Sequence, residues 1–138
     1  MIKAIIFDLD NTLLDFVKMK RFAVKAAVTA MNEAGLHVNE KKAFDDIFDL
    51  YINKGWEYQQ VFDDYLHQTT GKVSNKVLAA GIVSYRRARE ATLLVYPNVN
   101  KTLIELIKMG IKLAVVSDAP SREAWMRLYY LNLHHVFD

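Results

Sequence analysis

Ala4-Ile5-Ile6-Phe7 is an unbroken apolar run of β-branched and aromatic residues that stops at Asp8-Leu9-Asp10-Asn11-Thr12. A short run bounded this way predicts a strand buried on both faces, as in a parallel sheet. Ile111-Lys112-Leu113-Ala114-Val115-Val116 predicts a second such strand, stopping at Ser117-Asp118-Ala119-Pro120. Between them the hydrophobic spacing changes to the helical period. A first helix is expected from Phe16 to Ala34, with Phe16, Met19, Ala23, Ala27 and Ala30 on one face and Gly35 as its stop. A second, capped by Asn39, reaches about Asn53; a third spans Trp56 to about Gln68; a fourth, capped by Ser74, reaches about Ala91. Gly81 falls inside the fourth and marks either a weak point or a close approach. Leu93-Leu94-Val95-Tyr96-Pro97 breaks the pattern. Asn100 is then expected to cap a helix over Leu103, Leu106 and Ile107, ended by Gly110, and Ser121 to cap a last helix carrying Trp125 and Tyr129.

The order strand, four helices, helix, strand, helix implies an α/β core split by a helical insert. The core takes residues 1–14 and 93–138, and the insert takes 15–92. Short polar links suggest an antiparallel bundle in the insert. A crossover of the usual hand sets the two strands parallel. Two parallel strands with two helices make a poor core, so the α/β part reads as incomplete.

Composition narrows the chemistry. Among 138 residues there is no cysteine, which excludes disulfides and thiolate metal sites and favours a reducing compartment. The five glycines are never closer than ten residues, so no glycine-rich nucleotide loop exists. A net charge of +2 with scattered basic residues gives no nucleic-acid face. The N-terminus meets Asp8 too soon for a signal peptide, and no uncharged apolar run suits a membrane span. A soluble, cytoplasmic protein is expected.

In parallel sheets, ligands sit beyond the carboxyl ends of the strands. Both ends here are polar. In an extended backbone Asp8 and Asp10 leave on the same side, where two carboxylates repel unless a cation intervenes or one keeps its proton. A hard divalent ion such as Mg²⁺ suits that pair. One carboxylate can attack while the other handles a proton. Ser117 and the N–H groups after it could cradle an anion. Against this stands the plain preference of Asp and Ser for strand ends. An EF-hand loop is excluded, because Leu13 sits where such a loop needs glycine and Met19 where it needs glutamate.

Phe7-Asp8-Leu9-Asp10-Asn11-Thr12-Leu13 resembles the first motif of the haloacid dehalogenase superfamily, a hydrophobic strand followed by Asp-x-Asp-x-Thr. Val115-Val116-Ser117-Asp118 resembles its second motif, and the helical insert matches its helical cap. The resemblance implies a Rossmann-like core with an inserted four-helix cap and an Mg²⁺-dependent phosphatase-type reaction on a small phosphorylated substrate. It makes Asp8 the nucleophile that carries an aspartyl-phosphate and Asp10 the acid and then base. Mg²⁺ would be held by the Asp8 carboxylate and the Asp10 main-chain carbonyl. Thr12 would steady the loop, and Ser117, with Asp118 beside it, would bind the phosphoryl group. The superfamily's third-motif lysine and fourth-motif acids have no counterpart here. No lysine follows Ser117, and the acids beyond it are Asp118, Glu123 and Asp138. Losing such groups costs ~10⁴–10⁶ in rate if two electrostatic effects multiply, so this chain alone is expected to be nearly inactive. A dehalogenase or phosphomutase of the same fold stays open. So does a non-catalytic interaction protein whose open sheet edge is completed by a second copy or another chain.

Overall fold

The structure is a computed structural model that describes residues 1–137. Its elements run β1 (Ala4–Phe7), α1 (Phe16–Glu33), α2 (Glu40–Lys54), α3 (Val61–Thr70), α4 (Asn75–Thr92), α5 (Val99–Lys108), β2 (Lys112–Val115) and α6 (Ser121–Tyr130). β1 and β2 are parallel neighbours, with Ala4 opposite Lys112 and Phe7 opposite Val115. This is the α/β arrangement expected: a parallel, Rossmann-like sheet interrupted by four helices. Two compact units result, one of Met1–Lys18 with Thr92–Asp138, the other of Met19–Ala91.

In the first unit the sheet is less buried than the apolar runs suggest. Leu113 is 2% exposed, whereas Ile6 is 67% and Val116 65% exposed. Two strands among the described residues cannot cover both of their own faces, so the expectation of strands buried on both sides fails. Burial concentrates instead in Leu9, Leu13 and Leu14 after β1, in Leu103 of α5, and in Leu128, Leu133 and Phe137 at the end. Leu14 bridges to Val95, and the Tyr96 N–H donates to the Leu13 carbonyl, so the segment that breaks the helical pattern is pinned to the loop after β1.

The second unit has its own core. Ala23, Val24, Ala27, Val28 and Met31 of α1 pack with Ala43, Ile47 and Tyr51 of α2, Val61, Phe62, Tyr65 and Leu66 of α3, and Val77 and Tyr85 of α4. Gly81 is buried, and a Cβ there would meet Met31 Cγ and Sδ at 2.9 Å. The glycine therefore marks a close approach and not a weak helix.

The helix starts differ in detail from the expected caps. Asn39 caps α2 as anticipated, its side chain accepting from the Lys42 N–H. α3 begins at Val61, because residues 56–60 form turns over which the Tyr58 N–H donates to the Gly55 carbonyl. Asn98, at φ 68°, and not Asn100, precedes α5. Pro120 precedes α6, so Ser121 opens that helix without capping it. Among the described residues no helix is long and apolar enough to cross a membrane.

Candidate active site

The β1–β2 register sets the candidate residues side by side. Beyond Phe7 and Val115 the Val116 N–H still donates to the Phe7 carbonyl at 2.9 Å, so residues 8–12 and 117–118 leave the sheet at the same end. The loop after β1 alternates: Leu9 is fully buried between exposed Asp8 and half-buried Asp10. Leu13 and Leu14 are buried as well, so apolar anchors hold a polar crest of Asp8, Asp10, Asn11 and Thr12.

Hydrogen bonds fix the crest. Asp8 Oδ1 accepts from the Leu9 N–H at 2.9 Å, and Thr12 Oγ1 donates a long 3.4 Å bond to Asp8 Oδ2. The Thr12 and Leu13 N–H groups both donate to the Leu9 carbonyl, and Asn11 N–H to the Leu14 carbonyl. Asn11 sits at φ 60°, a left-handed conformation that Asn tolerates better than most residues. Its Oδ1 accepts from the N–H groups of Phe16 and Val17. Asp15 adds a cap to the Lys18 N–H. The loop is thus tied directly to the start of α1.

Asp10 has a partner that its sequence neighbourhood does not reveal. Arg127, 8% exposed on α6, donates from Nη1 to Asp10 Oδ2 at 3.0 Å. Its guanidinium also lies 4.9 Å from the Phe16 ring centroid. Ser117 Oγ accepts from the Ala119 N–H at 3.1 Å, which leaves the hydroxyl proton to point elsewhere. Beside Ser117 a cavity of about 240 Å³ is lined by Val115, Ser121, Trp125, Leu128 and Phe137. Asp118 is exposed, while Asp138 lies outside the described residues.

The donor set decides which metals fit. Among the described residues no three carboxylate or imidazole groups cluster. Mg²⁺ needs no such cage: it is commonly held by one or two carboxylates, with water and phosphate oxygens completing its shell. The oxygen donors of Asp8 and Asp10 fit that habit.

Comparison with known proteins gives the family. The haloacid dehalogenase-like hydrolase family matches residues 2–138, and the chain belongs to that family. It is 37% identical over 138 residues to a glyceraldehyde 3-phosphate phosphatase of Methanocaldococcus jannaschii, covering the whole chain and 60% of that relative. A protein of the same name from Methanothermobacter thermautotrophicus is 33% identical, covering the whole chain and 61% of the relative. The chain therefore spans about three fifths of the length of these relatives. A candidate beta-phosphoglucomutase from Thermotoga maritima shares the fold with a TM-score of 0.68 at 24% identity, over 99% of this chain and 59% of that one.

Proposed function

We propose that the chain carries the nucleophile-bearing part of a phosphatase that acts through an aspartyl-phosphate. The observation that carries this reading is that Asp8 follows the carboxyl end of β1 in register with Val116, one residue before Ser117 beyond the end of β2. Phosphoryl transfer is catalysed chiefly by positioning and charge stabilisation, and a loop anchored by Leu9, Leu13 and Leu14 supplies the first.

In the proposed reaction an Asp8 carboxylate oxygen attacks phosphorus and the ester P–O bond breaks. Asp10 gives its proton to the departing oxygen. Asp10 then takes a proton from water, the water oxygen attacks phosphorus, and the bond to Asp8 breaks to release phosphate. Arg127 holds the Asp10 side chain in place between these steps. Thr12 steadies the Asp8 carboxylate, and the Ser117 hydroxyl, with Asp118 beside it, faces the phosphoryl oxygens. Mg²⁺, held by the Asp8 carboxylate and the Asp10 main-chain carbonyl, would neutralise phosphoryl charge.

The substrate proposed is a small phosphorylated metabolite, with glyceraldehyde 3-phosphate suggested by the names of the relatives. The 138-residue chain offers no lysine beyond Lys112, so slow turnover is proposed for it alone. Release of phosphate from glyceraldehyde 3-phosphate with and without Mg²⁺ tests the reading. Slow release that needs Mg²⁺ and disappears in Asp8→Asn is expected, and release unaffected by that substitution overturns it.

A further inference from the structure

Lys20 lies on α1 yet is only 5% exposed. Its ammonium donates to the Trp56 carbonyl at 2.7 Å and to the Tyr85 hydroxyl, and it sits 4.1 Å from the Tyr51 ring centroid. A lysine held this way has surrendered its side-chain freedom, and its charge acts in a medium of low dielectric.

The same residues line a cavity of about 80 Å³ that also receives Arg86 and Arg89 of α4. Those two arginines are three residues apart on one helix face, where like charges repel. Among the described residues neither forms an ion pair. Arg89 rests instead 5.8 Å from the Tyr85 ring centroid. Glu57 is the one carboxylate in the lining. Three cations and one carboxylate line this small aromatic-walled cavity, with Arg86 exposed, a formal excess of two positive charges. A water occupies about 30 Å³, so the space matches one phosphate or carboxylate group. Paired guanidinium groups suit the oxygens of such a group.

We propose that this cavity, formed wholly within the helical unit, binds a single oxyanion through Lys20, Arg86 and Arg89. The anion is either free in solution or the far end of a larger phosphorylated molecule. The inference does not rest on the phosphatase reading, and its test involves no turnover.

The chain has two tryptophans, and each lines a different cavity: Trp56 this one, Trp125 the one beside Ser117. Their indole N–H signals in ¹⁵N-labelled protein, assigned with Trp56→Phe and Trp125→Phe, therefore report the two cavities separately. Inorganic phosphate is titrated at constant ionic strength. A saturable shift of the Trp56 signal is expected, weakened at least tenfold in the doubly substituted Arg86→Gln, Arg89→Gln chain and retained in Ser117→Ala. These arginines are not part of the buried core, so the double variant is expected to fold, and an unchanged far-ultraviolet spectrum checks it. A Trp56 signal that stays fixed while phosphate rises, or that shifts equally in the double variant, overturns the proposal. Acetate and 2-phosphoglycolate form two further arms. Tighter binding of 2-phosphoglycolate than of either simple anion assigns the cavity to the end of a larger phosphorylated molecule, and equal binding assigns it to a free anion.

Discussion

Arg127 Nη1 and Asp10 Oδ2 lie 3.0 Å apart across 117 positions of sequence, joining α6 to the loop that carries Asp8. The pair is mostly buried, with side chains 9% and 23% exposed, so removing the cation takes this ion pair from a largely desolvated carboxylate. Arg127→Ala is expected to lower the unfolding free energy by about 1–3 kcal/mol, between the values for exposed and fully buried pairs. Arg127→Lys should restore part of it. Urea unfolding of the three chains measures this, and equal stabilities would contradict a structural role for the pair.

Asn11 combines a left-handed backbone with two N–H acceptances at the start of α1. Asn11→Ala loses the cap and strains the backbone, for an expected cost of about 1–3 kcal/mol. Asn11→Asp keeps the acceptor and should cost much less. Thermal unfolding followed by circular dichroism distinguishes them.

At Gly81 an added methyl gains helix propensity of about 1 kcal/mol but presses on Met31 in a closed core, at about 1–3 kcal/mol. Gly81→Ala is therefore expected to be destabilising by about 1 kcal/mol, and Met31→Val in that background to recover stability. A denaturation midpoint that rises in Gly81→Ala alone would show that Met31 moves aside freely.

Three tyrosines of the helical unit resist ionisation. Burial, then the neighbouring Tyr85, pushes Tyr51 up. Burial also raises Tyr65, and the hydrogen bond to Asp64 raises Tyr58. Each folded-state value lies above the unfolded tyrosine value of about 10. Their contribution is thus complete below about pH 10 and is lost as pH rises through the raised folded-state values. Unfolding free energy should fall above about pH 10, and Tyr51→Phe should flatten part of that slope. Urea unfolding from neutral to alkaline pH measures both.

Much of this was legible in the pattern of residues. The apolar runs ending at Asp8 and Ser117 located both strands, and their parallel pairing followed from the helices between. The helix starts were less legible: Asn98 and Pro120, neither with a side-chain cap hydrogen bond, precede α5 and α6 in place of the expected Asn100 and Ser121. Arg127 escaped notice because its partner is 117 positions away. Lys20 carried a signal that could have been read. It falls in register with Phe16, Met19, Ala23, Val24 and Ala27 on the buried stripe of α1, where a lone lysine needs acceptors from elsewhere. Those acceptors, Trp56 and Tyr85, come from distant segments, and no periodicity along the chain points to them.

The most direct test of the central claim is the site of phosphoryl attachment. The Asp10→Asn chain, which lacks the proposed base for the second step, is incubated with Mg²⁺ and 4-nitrophenyl phosphate, whose leaving group needs little protonation. Acid quenching and peptide mapping then locate any label. One phosphoryl group on the peptide containing Asp8, absent when Asp8→Asn is added, is the predicted result. No label on that peptide, or a label that survives Asp8→Asn, would contradict the account.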